Sequence, residues 1–323
     1  MSKAKSTGAE ICVGSGHPLP ARKNSLLTNM HQRPVLYLMA IPVIAYYVIF
    51  HYIPMLGIVM GFQDYLPAHG FIHSKWVGLD QFRRFFNSIN AGRLIRNTFL
   101  ISFYDLLFGF PVPIIFALLL NEVKGTKFKK VTQTITYMPH FVSLVVVGSL
   151  IFTLCRTNGP ISTLVASLNG TDPTNLLAHS EYFRTIYVGS SIWQSFGWNS
   201  ILYFAALSGV DPALYEASYL DGAGRFKQAW HITLPSIAPT IIIMLILRIG
   251  SLMSVGHEKI ILLYSPITYE TADVISSYVY RVGLMEMNYS YGTAVGLFNS
   301  VINLVLVMAV NWVSNKVTET SLW

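Results

Sequence analysis

Two charged residues lie inside long apolar segments of this sequence, where a charge needs a physical reason. Arg248 interrupts the segment IIIMLILRIGSLMSV, and Asp105 interrupts ISFYDLLFGFPVPIIF. A charge at the centre of a bilayer costs about 2.5–3.5 kcal/mol on insertion scales, so such a side chain faces a water-filled path or a partner. Two interpretations of Arg248 therefore stand. It lines a path and meets hydroxyls or carboxylates of a polar substrate, or it forms a structural pair with Asp105 or Glu258.

Other polar and aromatic side chains are candidates for the same path. Glu258 and Lys259 follow Arg248 by about three helical turns, and they either gate the path or pair with other side chains. His257, beside them, is a polar packing residue or a path residue. Trp193 and Trp198 belong to a segment rich in Ser and Gly. Their rings either stack on a sugar or pack at a membrane interface.

Several kinds of chemistry have no sequence pattern to support them. The nine His residues show no metal-ligand spacing such as HExxH, so no metal site is predicted. There is no GxxxxGK[ST] segment, so we expect no ATP site and no cofactor in this chain. Cys12 and Cys155 do not form a disulfide framework. The net charge of +7 comes from Lys and Arg scattered between apolar blocks, which favours membrane loops over a nucleic-acid surface.

The elements that must position these residues are membrane spans. Of the 323 residues, 53% are hydrophobic and only 11% are charged, less than half the charged share of a soluble domain. The apolar residues gather in runs of the roughly 20 residues that cross a bilayer. We predict an all-α membrane protein with six transmembrane helices, at about 35–61, 97–121, 133–156, 185–208, 236–264 and 292–314.

The distribution of basic residues predicts the orientation. Residues 1–34, 122–132, 209–235 and 315–323 carry twelve Lys and Arg, against seven in 62–96, 157–184 and 265–291. Basic residues are enriched in cytoplasmic loops, so both termini are predicted to be cytoplasmic. The predicted organisation is an N-terminal tail (1–34), a six-span domain (35–314) and a C-terminal tail (315–323). In the outer loop 62–96, Asp80–Phe86 is predicted to form a surface helix.

The loop at about 209–235, between the fourth and fifth predicted spans, has its own local signals. Asp211 can cap a helix that begins at Pro212 and runs to Leu220. Gly222 then permits a sharp turn, and a second short helix, about 225–233, is expected to end before Pro235. Two short helices that project from a membrane can fill a cleft on a partner protein. The alternative is a plain connection that lies on the membrane surface.

This loop resembles the cytoplasmic signature of the permease subunits of ABC importers. The family pattern is Glu-Ala-Ala, three residues, Gly, nine residues, Ile, any residue, Leu-Pro. The chain departs from it at one fixed position, where Ser218 stands in place of the usual Ala. The resemblance implies that an ATPase subunit docks on Glu216, Ala217, Ser218, Asp221, Gly222, Ala223, Ile232, Leu234 and Pro235.

Further segments are similar to the branch of these permeases that imports polysaccharide fragments, including alginate. They are His51–Met55, Tyr137–Phe141 and Gly256–Lys259. Within the last of these, His257 stands where the branch usually has Phe. The similarity covers roughly residues 35–323.

The resemblance implies that this chain is one subunit of a transport complex. The fold is then the type I importer permease bundle in a bacterial inner membrane, in contact with lipid. The partners are a second permease subunit, two ATPase subunits that bind ATP and Mg²⁺, and an extracytoplasmic solute-binding protein. The substrate is an oligosaccharide or polysaccharide fragment, acidic ones such as alginate included. The alternative is a secondary transporter or an intramembrane enzyme, but no internal repeat and no catalytic set is visible.

Overall fold

The structure, a computed structural model, describes residues 34–318. The chain forms two compact units, the first ending at Leu56 and the second beginning at Gly57. The predicted N-terminal tail lies outside the described residues except for Pro34. Of the predicted C-terminal tail, residues 319–323 lie outside them, and the rest continues the last helix.

The described residues are almost entirely helical. In the first unit lie α1 (Pro34–Tyr47) and α2 (Ile53–Met55), joined by the π-helical turn Val48–Tyr52. The second unit contains β1 (Gln63–Asp64), α3 (Gly70–His73), β2 (Lys75–Trp76), α4 (Asp80–Phe86), α5 (Ile89–Tyr104), α6 (Pro111–Asn121), α7 (Thr126–Tyr137), α8 (Leu144–Cys155), α9 (Pro160–Asn169), α10 (Ser180–Ser208), α11 (Pro212–Leu220), α12 (Arg225–Gln228), α13 (Leu234–Gly250), α14 (His257–Leu263), α15 (Tyr269–Ala272), α16 (Ile275–Val279) and α17 (Tyr289–Thr318).

Short 3₁₀ and π-helical segments connect several of these helices. The 3₁₀ segments are Leu56–Phe62, Met138–Phe141, Leu176–Ala178 and Pro266–Thr268, and the π-helical turns of the second unit are Asp105–Gly109, Ala229–Thr233 and Tyr280–Met285. The two strands pair antiparallel, with Gln63 opposite Trp76 and Asp64 opposite Lys75. The helix predicted over Asp80–Phe86 is observed as α4, with Phe85 buried.

Five helical runs among residues 34–318 are long and apolar enough to cross a membrane. They are Tyr37–Phe62, Ile89–Asn121, Leu144–Asn169, Arg225–Gly250 and Tyr289–Lys316. The predicted fourth span, 185–208, lies within α10, a 29-residue helix. A helix of that length extends about 44 Å, but its Ser, Gly and Gln residues make it more polar than the other five. It packs between α6 and α13, which provide the surroundings that a polar spanning helix needs.

Several predicted helix ends are wrong, and the fifth span differs most. The predicted fifth span, 236–264, is broken, because α13 ends at Gly250 and α14 starts only at His257. In the gap, the Asn303 side chain accepts a hydrogen bond from the backbone N–H of Met253, and the Asn299 side chain donates one to the Met253 carbonyl. These two asparagines of α17 satisfy backbone groups that a continuous helix would satisfy by itself.

The second helix of the 209–235 loop does not stop before Pro235. It continues through the π-helical turn Ala229–Thr233 into α13, so Arg225–Gly250 is one helical run. At the end of that turn the N–H of Leu234 bonds to the carbonyl of Ala229, five residues back. Pro235 has no N–H to donate, and it occupies the first turn of α13, where a helix tolerates that loss.

The other spans differ from their predictions at the ends. The second begins earlier, at Ile89, and the sixth runs from Tyr289 to Thr318. The predicted third span, 133–156, is interrupted after α7, and α8 begins at Leu144. There the Ser143 side chain caps the new helix by accepting a hydrogen bond from the N–H of Val146 at 3.4 Å.

Apolar side chains form three buried clusters in the second unit. The first joins α5, α8, α10 and α14, the second joins α4, α5, α16 and α17, and the third joins α6, α10 and α13. In a membrane, lipid is as apolar as these side chains, so close packing rather than water exclusion holds spanning helices together. Gly197 of α10 illustrates this, because a Cβ there would lie 2.2 Å from the Thr136 carbonyl oxygen of α7.

Candidate functional site

The first candidate surface is the 209–235 loop, which keeps the name docking loop below. As predicted, α11 begins at Pro212, and the Asp211 carboxylate caps it by accepting a hydrogen bond from the N–H of Ala213 at 2.9 Å. After α11 the chain reverses at Gly222, whose φ of +73° is left-handed. That backbone shape favours glycine. The N–H of Ala223 then bonds back to the carbonyl of Ser218 at 2.9 Å, which closes the turn.

Two side-chain hydrogen bonds tie the halves of the docking loop together. The Gln228 amide donates to the Ser218 hydroxyl at 2.9 Å, and the hydroxyls of Tyr215 and Thr233 lie 2.9 Å apart. Ser218, the one departure from the family pattern, therefore links α11 to α12. An alanine could not accept this hydrogen bond.

The docking loop presents an exposed face. Glu216, Ala217, Asp221, Gly222 and Pro235 are exposed, whereas Ser218, Ala223, Ile232 and Leu234 are partly buried. Large apolar side chains are exposed beside them, namely Leu214, Tyr219, Leu220, Phe226 and Trp230. An open depression between the two helices is lined by Tyr215, Glu216, Tyr219, Leu220 and Gln228. The carboxylates of Glu216 and Asp221 among exposed apolar side chains are suited to contact with another protein.

The second candidate site is a cavity of about 220 Å³ inside the second unit, termed the polar cavity. It lies between α5, α10, α13 and the segment that follows Gly250. Its polar lining consists of Ser102, Asp105, Tyr187, Ser191, Ser195, Arg248, Ser251 and Ser254. A second cavity of about 210 Å³ shares Asp105, Ser195, Arg248 and Ser251 with it and continues along Asn199 and Tyr203.

Arg248 is both paired and accessible. Its Nη2 donates a hydrogen bond to Asp105 Oδ2, and 44% of the Arg248 side chain is exposed. Asp105 begins a π-helical turn, a feature that often occurs at functional sites. Gly109 leaves room for this carboxylate, because a Cβ at Gly109 would lie 3.1 Å from Asp105 Oδ1. The two interpretations of Arg248 are therefore compatible: it pairs with Asp105, not Glu258, and it also lines a cavity.

The other predicted path residues are not all brought to this cavity. Glu258 is exposed and lies 3.9 Å from His257, whose ring stacks on Tyr280. Neither tryptophan of α10 lines this cavity. Trp193 borders an apolar pocket between α8, α9 and α10, and Trp198 stacks on His140 at 4.6 Å between ring centroids.

Sequence reasoning missed the serines of the cavity and the environment of Lys259. Ser191 and Ser195 are four residues apart on α10, so they lie on one face, and this spacing is a signal that could have found them. Lys259 is only 6% exposed, and its Nζ lies 2.8 Å from the Ser191 hydroxyl.

A further charged cluster, around Asp273, was also missed. Asp273 is fully buried, and its two carboxylate oxygens accept hydrogen bonds from Arg281 at 2.7 and 3.2 Å. Arg93 approaches the same carboxylate at 3.8 Å. Burial opposes the charge of Arg281, but the hydrogen bonds and the negative charge of Asp273 outweigh that effect and raise the pKa of Arg281. This cluster joins α5 to the segment between α15 and α17.

Several membrane-crossing helices, a polar cavity between them and an exposed loop suited to a partner define a membrane transport component. The family model for the binding-protein-dependent transport system inner membrane component matches residues 109–319. The chain belongs to this family, which comprises the permeases of ABC importers. Membership excludes the alternatives of a secondary transporter and an intramembrane enzyme.

Individual proteins are similar over nearly the whole chain. Protein LplB of Bacillus subtilis (strain 168) is 45% identical over 289 residues, which cover 89% of this chain and 91% of LplB. The polygalacturonan/rhamnogalacturonan transport system permease protein YteP of the same organism is 43% identical over 302 residues, 94% of each chain. Of the solved structures, a chain of a bacterial alginate ABC transporter in complex with an alginate pentasaccharide-bound periplasmic protein matches with a TM-score of 0.84. It is 42% identical, and the match covers 92% of this chain and 99% of that one.

Proposed function

We propose that this chain is a permease subunit of an ABC importer that carries oligosaccharides or polysaccharide fragments, acidic ones included, across a bacterial cell membrane. Its partners are a second permease subunit, two ATPase subunits that bind ATP and Mg²⁺, and an extracytoplasmic binding protein. Support comes from YteP, described as a polygalacturonan/rhamnogalacturonan permease, and from the similar transporter crystallised with an alginate-loaded periplasmic protein. Both of those substrates are acidic polysaccharides.

The observation that carries this proposal is the continuity between the docking loop and the polar cavity. Arg225 belongs to the docking loop and Arg248 to the cavity, and the uninterrupted helical run Arg225–Gly250 contains both. At about 1.5 Å per residue, the two residues are about 35 Å apart along the helix. A continuous helical run of this length connects movement of the loop to the cavity wall.

The proposed cycle follows from that connection. ATP binding closes the two ATPase subunits, and the docking loop, held in a cleft of one of them, moves with its subunit. The helical run turns or shifts, which changes the access of the cavity from one side of the membrane to the other. The loaded binding protein delivers the oligosaccharide at the outer face.

The proposed orientation places the docking loop and both termini in the cytoplasm, where the ATPases are. The tails, residues 1–34 and 315–323, are then cytoplasmic, and 35–314 form the permease domain. The loop that contains Gly170 faces outward.

The test is a complete importer reconstituted in liposomes and supplied with neutral and acidic oligosaccharides. Glu216→Ala and Gly222→Asp should leave membrane insertion intact and abolish transport. The first removes an exposed carboxylate of the docking face, and the second forces a side chain onto a left-handed turn. Glu181→Ala, which removes an exposed carboxylate in the first turn of α10, is the matched control and should transport normally. Full transport by both docking-loop variants would disprove the proposed coupling.

Arg248→Gln separates the two roles of Arg248 in the same assay. If Arg248 meets the substrate, the variant assembles and loses most transport for acidic sugars. If Arg248 serves only to neutralise Asp105, assembly is poor and transport falls equally for every substrate, because a carboxylate is left without its partner. A well-assembled variant with unchanged transport would reject both roles.

A further inference from the structure

Lys259 is a buried cation that has no carboxylate within ion-pair distance in the described part of the chain. Its side chain is almost inaccessible, and within residues 34–318 it forms no ion pair. Its Nζ donates to the Ser191 hydroxyl at 2.8 Å and lies 3.5 Å from the Tyr187 carbonyl oxygen. Buried charges in proteins are normally paired, because an uncompensated one costs several kcal/mol. This cation lies beside the polar cavity and contributes a positive charge to it.

The ammonium group of Lys259 also fixes the direction of the Ser191 hydroxyl. An ammonium group is a donor only, so Ser191 must use an oxygen lone pair to accept from it. The Ser191 proton then has to point elsewhere, and it meets no acceptor among the residues that the structure describes. Since Ser191 lines the polar cavity, its O–H is available to a ligand there.

Ser254, also in the lining of the cavity, is held in the same way by a different residue. The Asn303 side-chain oxygen accepts from the N–H of Met253 at 2.9 Å, which fixes the orientation of the amide. The Asn303 Nδ2 group therefore faces Ser254 and donates to its hydroxyl at 2.8 Å. The Ser254 proton, like that of Ser191, meets no acceptor in the described part of the chain.

Two other serines of the cavity behave differently. Ser195 donates its proton to the backbone carbonyl of Ser191 at 2.7 Å, and Ser251 donates to the carbonyl of Arg248 at 3.1 Å. Their protons are used within the protein. The distinction is chemical: two hydroxyls are turned outward by nitrogen donors behind them, and two are turned back onto the helix.

We propose that the polar cavity contains a carboxylate subsite that determines specificity for acidic sugars, an inference that rests on the proposed oligosaccharide transport. Arg248 and the hydroxyls of Ser191 and Ser254 donate hydrogen bonds to the carboxylate of a uronic-acid residue. Arg248 has five N–H groups, so donors remain beyond the one given to Asp105. Lys259 is a positioning residue that orients Ser191 and adds positive charge. Asp105 is paired with Arg248, and the exposed Glu258 lies beside the cavity wall, since its Oε2 would be 3.5 Å from a Cβ at Gly256.

The experiment compares an oligogalacturonate with its methyl ester in the complete reconstituted importer. The two substrates share shape and hydroxyls and differ in charge. Ser191→Ala, Ser254→Ala and Lys259→Gln should each lower the ratio of acid to ester transport at least tenfold relative to wild type. Discrimination by the binding protein is the same in every variant, so it cancels from this comparison.

Two matched variants serve as controls. Ser195→Ala removes a hydroxyl from the same cavity whose proton is already used, so it should leave the ratio unchanged. Lys259→Arg keeps the charge and the donors and should retain most of the discrimination. A merely structural role for Lys259 would reduce transport of acid and ester equally. If the Lys259 variants assemble poorly, Ser254→Ala still tests the subsite, because the Ser254 hydroxyl is oriented by Asn303 and not by Lys259.

Unchanged acid-to-ester ratios in assembled Ser191→Ala and Ser254→Ala complexes would overturn the subsite. So would a wild-type importer that carries neutral oligosaccharides and refuses acidic ones, although the proposed function would then survive. An importer that carries no oligosaccharide of either kind would overturn the proposed function itself.

Discussion

The substitution Asp273→Asn tests the buried charge cluster that joins α5 to the segment before α17. The wild-type carboxylate accepts two hydrogen bonds from Arg281 and one from Ser277, and it lies 3.8 Å from Arg93. Asparagine has nearly the same shape, but it is neutral and presents an N–H₂ group where an acceptor is needed. Two guanidinium groups then face a site that no longer carries a negative charge.

The size of the effect follows from the burial of the cluster. Removing one partner of a buried ion pair costs about 3–5 kcal/mol, and hydrogen bonds to charged groups contribute about 1.5–3 kcal/mol each. Arg281 and Arg93 keep some access to solvent, with 23% and 33% of their side chains exposed, so part of the lost interaction is recovered from water. We therefore expect the free energy of unfolding to fall by about 3 kcal/mol, the lower end of the range.

The measurement is equilibrium unfolding in mixed micelles with increasing SDS, followed by circular dichroism. Asp80→Asn is the matched control, because Asp80 pairs with Arg83 at 3.7 Å on the surface and is 68% exposed. Exposed pairs and charges in a first helical turn contribute little, so its loss should stay below about 1 kcal/mol. The double variant Asp273→Asn with Arg281→Met should regain stability over the single one. Equal stability losses for the buried and the exposed aspartate would refute the reasoning.

Three further outcomes are expected. Ser218→Ala removes the acceptor that links the two helices of the docking loop, so less oligosaccharide should be transported per ATP hydrolysed in liposomes, with transport reduced and not abolished. Gly197→Ala should lower the free energy of unfolding by about 1–3 kcal/mol, because its methyl group meets a backbone carbonyl of α7, whereas Gly189→Ala on the same helix meets nothing within 4 Å and should be neutral or slightly stabilising. A reporter fused after Trp323 should be cytoplasmic and one inserted near Gly170 external; the reverse at either site would mean that a span had been miscounted.

Local sequence signals predicted the docking loop well, because its shape depends on neighbouring residues. Asp211 caps the helix that Pro212 begins, and the left-handed turn falls at Gly222. Capping, proline and glycine all act within a few residues, so their effects can be read from sequence. The exception is the end of the second helix at Pro235, where a π-helical turn carried the helix onward.

The polar cavity could be predicted only in part, because its contacts join distant parts of the chain. Asp105 was one of the two partners predicted for Arg248. That prediction was possible because a charge inside an apolar run is visible in the sequence. The contact between Ser191 and Lys259 spans 68 residues, and that between Met253 and Asn303 spans 50. Hydropathy cannot report which asparagine of one helix faces the backbone of another.

The break after Gly250, which the sequence reading missed, is also what builds the cavity. A helix continued past that residue would have satisfied the backbone of 251–256 internally. Instead, Asn299 and Asn303 bind the backbone of Met253, and the freed segment places Ser254 and Gly256 in the cavity wall. The same amide of Asn303 that accepts from the Met253 N–H then donates to the Ser254 hydroxyl and turns its proton toward the cavity. One asparagine thus couples the local fold to the chemistry of the site, and replacing it should alter both the helix end and the selectivity for a carboxylate.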